Sequence, residues 1–458
     1  MNQIRQTTNL THVARFYLKG STARPNRLAL GLSCCLTCLA SVAFGVDDWP
    51  TWRGPTKDGI APAGQRPPTE WSANRNVLWK TAIPGKGHSS PVIVGNQIFL
   101  TTSEAADQTQ SVLSIDCKTG KQIWQTTVYQ GELSGKIHPN NTHASSTVAA
   151  TSDRVFATFW NNDRVVLVAL DHAGKQLWKK TAGPFVPRYP FGYAASPCLY
   201  KNTVIVNSEC EKLGSLTAFR QSDGSEVWKT PRNLGTGYSS PIVHRVAGRD
   251  QLLISGSNSV TSYDPRNGQE MWSVAGPWEV TCGTMVFSKE SYTVGWPFPY
   301  TRIDIDMVFA SGGYPRGSTV AIPTTDQPSI AWRNPVKSYE QSMLSHQGYL
   351  YAVSDNGVGY CWNALTGKEM WKQRLAGPIS ASPVLAGGNI YVTTERGKTF
   401  VFRADPQKFD LVAENQLGDS CFASLTIVHD HIYVRVGFQP DGDTQQWLYC
   451  LTPELPGR

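Results

Sequence analysis

The sequence predicts an all-β fold, an eight-bladed β-propeller of four-stranded antiparallel blades closed by its own N-terminal strand. Three observations predict it. A turn followed by Trp recurs as SIDCKTGKQIW ending at Trp124, ALDHAGKQLW at Trp178, AFRQSDGSEVW at Trp228, SYDPRNGQEMW at Trp272 and CWNALTGKEMW at Trp371, with looser copies ending at Trp79 and Trp332. A second unit, Ser-Pro opening an apolar strand, occurs at HSSPVIV (88–94), AASPCLY (194–200), YSSPIVH (238–244) and SASPVLA (380–386). Successive Trp lie 39 to 60 residues apart, the length of four short strands with their turns, which is one blade.

Taken in chain order, residues 1–45 come first. They carry five basic residues and no acid, and the run from Leu28 to Gly45 is uncharged. Ala43 and Gly45 are small residues at the spacing of a signal peptidase site, so 1–45 reads as a secretory signal with the mature chain starting near Val46. An uncleaved membrane anchor is the alternative, because the run is just long enough to cross a bilayer. The protein is therefore expected to be exported, periplasmic or extracellular. Residues 46–70 read as an extended lead-in and 71–458 as one propeller domain.

Within a blade, PVIV and QIFLTT are strands around the turn Gly95-Asn96, and SVLSID and KQIWQTT are strands around Lys118-Thr119-Gly120. These runs are short, β-branched or aromatic, and bounded by Gly, Asn and Asp. Gly120, Gly174, Gly224, Gly268 and Gly367 stand where a tight hairpin needs positive φ. Asp116, Asp171 and Asp264 are placed to hydrogen-bond the backbone of the same turns. A Trp on the outermost strand finds cover only against the neighbouring blade, so Trp79, Trp124, Trp178, Trp228, Trp272, Trp332 and Trp371 read as structural tryptophan-docking residues. The last segment offers only ASLTIV, HIYVRV and QQWLYCL, and NVLWKT near the mature N-terminus supplies its fourth strand. Seven blades is the alternative if the diverged segment 276–332 is not a blade.

Charge and cysteine usage narrow the function. Of the net charge of +7, five units belong to residues 1–45. The nearly neutral remainder gives no basic field, and no nucleic-acid partner is expected. Beyond the signal stand Cys117, Cys198, Cys210, Cys282, Cys361, Cys421 and Cys450, scattered and without a C-x-x-C. Cys421 with Cys450 is the first pair to test for a disulfide, and buried free thiols are the plainer expectation for the others.

With these motifs in view, the sequence resembles the pyrroloquinoline-quinone-like (PQQ-like) repeat family, whose blades carry the pattern A-x-D-x-x-T-G-x-x-x-W. The resemblance spans about residues 49 to 451, and the opening DDWPTWRGPTKDGIAP is similar to the lead-in of exported bacterial members. It implies one of two kinds of protein. One is a quinoprotein dehydrogenase of alcohols or sugars, with PQQ and calcium on the propeller axis. The other is a non-catalytic propeller similar to the scaffold lipoprotein BamB. The adjacent cysteine pair of the dehydrogenases is missing from the mature chain, since Cys34-Cys35 lies in the signal, and no haem-binding C-x-x-C-H follows.

Function is expected on one face. Turns between the first and second strands and between the third and fourth are tight, whereas the other connections are long, and binding groups concentrate on loops held by a rigid scaffold. Residues just before each strand-opening Ser-Pro should approach the central channel: His88, His143, Tyr193, Tyr238, Glu279, Glu340 and Phe422, with Asn140, Asn141, Arg188 and Tyr189 nearby. They would form a polar pocket, or a solvated channel mouth. His88, His143 and Glu279 or Glu340 have metal-ligand chemistry but no diagnostic spacing, so no metal site and no catalytic residue is assigned. The aromatic segment Trp296–Tyr300 and the acidic pair Asp441 and Asp443 fall in expected loops. The expectation is a non-enzymatic, monomeric exported module that binds a protein or another extracytoplasmic ligand through its long-loop face, with peripheral association with the envelope. No cofactor is expected; PQQ and calcium belong to the dehydrogenase alternative. A carbohydrate-binding propeller is the second alternative.

Overall fold

The computed structural model describes residues 48–453, except 132, 134–135, 212, 233–234, 295–300, 315 and 440–443. The signal segment 1–45, the aromatic tip Trp296–Tyr300 and Asp441 with Asp443 therefore lie outside the described residues. All the regular elements described are β-strands, and they form eight four-stranded antiparallel sheets, the blades of an eight-bladed propeller. Blade 1 is Val92–Val94, Gln97–Glu104, Thr109–Asp116 and Gln122–Gln130. Blades 2 to 7 repeat that order, ending with the strand Leu411–Gln416. Blade 8 joins the two ends of the chain. Thr426–Val428, His431–Phe438 and Gln445–Leu451 are completed on the outside by Val77–Ile83, with Trp79 opposite Cys450.

The seven-blade alternative fails because 276–332 does form a blade. Its strands are Val286–Val294, Thr301–Gly312, Ser318–Pro323 and Trp332–Asn334. Two departures hid it. The inner hairpin is unusually long, and the turn before Trp332 has no Gly. Cys421 and Cys450 are also not joined, although both belong to the last repeat. The Cys421 thiol donates to the carbonyls of Ala423 and Arg435, whereas Cys450 shares the Tyr433 hydroxyl with Cys117 across the seam to blade 1.

The core lies between blades. One apolar cluster gathers Ile98, Leu113 and Ile115 of blade 1 with Ile427, Ile432 and Leu448 of blade 8. Burial at ~25 cal/mol/Å² makes each such seam a main source of stability. The turn chemistry is local. Asp116 accepts from the backbone N–H of Lys118 and Thr119, and Asp264 from that of Arg266. The turn glycines then make room for the preceding blade. A Cβ on Gly174 (φ 84°) would come within 2.6 Å of the Trp124 ring.

Indole N–H groups bond across the same seams. Trp79 donates to Cys117 O at 2.9 Å, Trp124 to His172 O at 2.8 Å and Trp178 to Gln221 O at 3.1 Å. Trp228 donates to Pro265 O at 3.1 Å, Trp332 to Ala364 O at 2.9 Å and Trp371 to Asp405 O at 2.8 Å. Trp272 differs. Its N–H donates to Gln251 Oε1 in its own blade, facing the blade whose turn lacks Gly.

Candidate functional site

The two faces of the ring are built differently. Two-residue turns such as Gly95-Asn96, Lys201-Asn202 and Gly387-Gly388 join first and second strands on one face. The other face carries the connections 131–148, 185–197, 208–214 and 313–317.

The lead-in plugs the channel from the tight-turn side. Trp49 pairs with Ile93 of blade 1, and Ile60 with Leu385 of blade 7. Lys57 Nζ donates to Leu199 O of blade 3 at 3.1 Å. Arg53 is buried and donates to Pro383 O at 2.8 Å, Met343 O at 2.6 Å and Asp58 O at 2.8 Å. Burial pulls this guanidinium down to about 10 against the opposing charge of Asp58, so it stays charged at neutral pH and needs its carbonyl partners.

Above the plug, the strand-opening hydroxyls form a ring. The N–H of Ser90 donates to Thr147 Oγ1 at 2.9 Å, that of Thr147 to Ser196 Oγ at 3.1 Å and that of Ser196 to Ser240 Oγ at 2.8 Å. The series resumes from Thr284 to Ser342, Ser342 to Ser382, Ser382 to Ser424 and Ser424 to Ser90, all at 2.9–3.0 Å. Thr284 Oγ1 accepts the indole N–H of Trp52 at 2.8 Å, which fixes that ring as the floor of the channel.

On the long-loop side of this floor lies a cavity of about 220 Å³. Each blade contributes the residue two positions before its ring hydroxyl: His88, Ser145, Ala194, Tyr238, Cys282, Glu340, Ser380 and Phe422. His138, Asn140, Asn141, Phe191 and Tyr339 complete much of the wall. His88 stacks on Phe422 at 4.4 Å between ring centroids. Burial and the Arg435 guanidinium behind it push the imidazole down to about 3, so His88 is neutral. Burial raises the pKa of Glu340, against the opposing influence of Ser380 and Lys337, and Glu395 and Asp355 raise it further. Burial likewise raises Cys282, Tyr238 and Tyr339.

Of the residues expected at the channel, His88, Tyr238, Glu340, Phe422, Asn140 and Asn141 line the cavity. Five others, His143, Tyr193, Glu279, Arg188 and Tyr189, are not among its lining residues. His143 lies beside Trp160 at 6.5 Å. Tyr193 is buried against Phe185 and donates its hydroxyl to Asn207 O at 2.8 Å. Glu279 pairs with the exposed Arg188 at 3.2 Å, and that guanidinium sits over Tyr189. The reason is register. A slip of one residue turns an extended side chain to the opposite side, and Tyr193 stands one position before Ala194. His143 and Glu279, two and three positions before the lining residue of their blades, lie outside any strand, so alternation does not govern them and they sit farther back along the incoming loop. Those two blades carry Thr147 and Thr284 where the other six have the ring Ser. Counting from the ring hydroxyl would have found Ser145, Ala194, Cys282 and Ser380. Trp52 carried no signal, because only the fold brings the lead-in beneath the axis.

Outside the cavity, the same face exposes apolar groups. Leu213 and Val186, 66% and 61% exposed, are the most exposed large hydrophobic residues described. Tyr314 packs on Tyr189 and Phe191 at 6.0 and 6.1 Å while remaining 44% exposed.

Comparison with known proteins is consistent with this architecture. A family model described as outer membrane protein assembly factor BamB matches residues 69–139, 108–358 and 329–406. The BamB of Yersinia pestis is 24% identical over 388 residues, covering 81% of this chain and 89% of that protein. Among solved structures, BamB from Moraxella catarrhalis superposes with a TM-score of 0.53 at 15% identity, over 81% of this chain and 98% of that one. A quinohemoprotein alcohol dehydrogenase from Comamonas testosteroni gives 0.61 at 13% identity, over 91% and 83%. Structural likeness at these identities establishes the fold alone.

Proposed function

The chain belongs to the family of the outer membrane protein assembly factor BamB, and from that premise we propose that it is an exported, non-enzymatic scaffold holding a protein partner against its long-loop face at the cell envelope. The observation that carries this reading is the asymmetry of the ring. One end of the channel is filled by the lead-in, while the other presents Leu213, Val186 and Tyr314 on loops anchored by rigid sheets. Exposed apolar and aromatic side chains on such loops are surface that a partner covers. The relatives' name supplies the class of partner, a protein component of outer-membrane assembly. The ring needs no second copy to close, which fits a monomer.

The test is co-purification of the exported chain with the outer-membrane assembly complex of its own cell, comparing wild type with Leu213→Asp/Tyr314→Ala. Retention by wild type and loss by the double variant supports the reading. Equal retention, or none by either protein, overturns it.

The dehydrogenase reading draws on the quinohemoprotein neighbour. The lining residues of the channel do not fit its cofactor. None of those described is Lys or Arg, the partners that would best neutralise the carboxylates of PQQ. No group of three or more His, Cys, Asp or Glu among the described residues is arranged to hold a metal ion. A new chromophore, together with dye reduction on alcohols or sugars after addition of PQQ and calcium, would favour this reading over the scaffold.

A further inference from the structure

The axial cavity has a chemistry of its own, separate from the exposed loops around it. Its volume of about 220 Å³ is room for several waters or a small organic ligand. Aromatic rings form much of the wall: Trp52 as the floor, with Phe191, Tyr238, Tyr339 and Phe422. Glu340 is the one carboxylate among the described lining residues. Nearby cations are committed elsewhere. Lys337 pairs with Asp355 at 3.1 Å and lies over the Tyr339 ring at 5.1 Å. Arg435, behind His88 on the blade 8 side, donates to Gln446 Oε1, Ser89 Oγ and Thr101 O. Ser380, between two carboxylates, donates to Glu395 Oε1 at 2.6 Å.

We propose that this cavity binds a small organic cation, an alkylammonium or quaternary ammonium group held at Glu340 and walled by the aromatic rings. The faces of aromatic rings attract a cation, and Glu340, which is exposed to the open channel mouth, offers it an opposite charge. Burial, with Glu395 and Asp355, raises the pKa of Glu340 over the opposing pull of Ser380 and Lys337, so the charge of Glu340 is only partly offset. A metal ion is a poorer occupant, because hard cations take six to eight oxygen ligands and the wall offers one carboxylate with scattered hydroxyls. An anion is poorer still, since Glu340 would repel it. The Arg435 charge behind His88 directs the ammonium end towards blade 6, and the neutral His88–Phe422 stack leaves an uncharged wall for the rest of the ligand.

The experiment is isothermal titration calorimetry of the full chain with tetramethylammonium and with 1,4-diaminobutane, using sodium acetate and calcium chloride as counter-probes. Saturable binding of an ammonium probe in preference to both counter-probes is expected. Glu340→Gln should weaken it at least about tenfold, the loss of a charge-assisted contact. Affinity should also fall as acid protonates Glu340. Absence of ammonium binding to wild type, undiminished binding to Glu340→Gln, or a preference for acetate or calcium would overturn the proposal. The wild-type arm needs no variant to fold. The inference is independent of the scaffold reading: Glu340→Gln should still co-purify with the assembly complex, and Leu213→Asp, which leaves the packing of Tyr314 on Phe191 in place, should still bind the cation.

Discussion

Truncating Trp228 to Ala measures what one indole contributes to the ring. Trp228 is 8% exposed and packs with Cys198, Ile205, Leu252 and Ile254 at the seam between blades 3 and 4. Its N–H donates to Pro265 O at 3.1 Å, and its ring fills the space above Gly268, whose φ is 72°. A buried Trp removes roughly 150–250 Å² from water, about 4–6 kcal/mol at ~25 cal/mol/Å². Partial relaxation of the cavity brings the expected loss to about 3–5 kcal/mol. Trp228→Phe keeps most of the apolar area and loses only the N–H donor, so it should cost about 1–2 kcal/mol. Urea unfolding followed by circular dichroism gives both values, provided the slope with denaturant is unchanged. A loss below about 1 kcal/mol for Trp228→Ala, or equal losses for Ala and Phe, would refute the claim that indoles join the blades. Trp272→Ala should cost less, because that N–H stays within its own blade.

Three further outcomes are expected. Arg53→Met removes the donor to three carbonyls beneath the axis; limited proteolysis should then cut the lead-in faster while leaving the blades intact. Glu209 and Arg232 form a fully buried pair at 2.9 Å. Glu209→Ala should cost about 3–5 kcal/mol in urea unfolding by stranding the guanidinium, and a loss below about 1 kcal/mol would contradict this. Burial holds His88 and His244 down to about 3 and about 4, with Arg435 and Lys57 respectively as minor causes. Below about pH 6.5 the unfolded chain therefore binds protons that the folded ring refuses. Stability should be full above that pH and fall towards pH 4, and His88→Gln/His244→Gln should flatten the decline in a series of thermal melts.

Much of the fold was legible because one short repeat encodes turn, strand and seam together. Gly174 and Trp124 belong to different copies of the repeat, and the need for Gly at the first is the presence of the ring at the second. Blade 5 was harder to read because it lost that Gly, and with it the acceptor site for Trp272. The channel was only partly legible. His88 and Tyr238 sit directly before Ser-Ser-Pro, where the frame is unambiguous, and both line the cavity. In blades 2 and 5, Thr147 and Thr284 replace the Ser of Ser-Pro, so the eye falls on His143 and Glu279, both outside the wall. Trp52 and Arg53 were beyond any local pattern, since their partners Thr284, Met343 and Pro383 are more than two hundred residues away.

On the proposed scaffold function, the long-loop face is where this ring meets its partner. Site-specific photo-crosslinking in intact cells tests it most directly, with the reactive side chain at Leu213 or Tyr314 on that face and at Lys118 on the tight-turn face. Adducts with an outer-membrane assembly protein, identified by mass spectrometry, should form from Leu213 and Tyr314 and not from Lys118. Adducts from Lys118 alone, or from none of the three positions, would contradict the account.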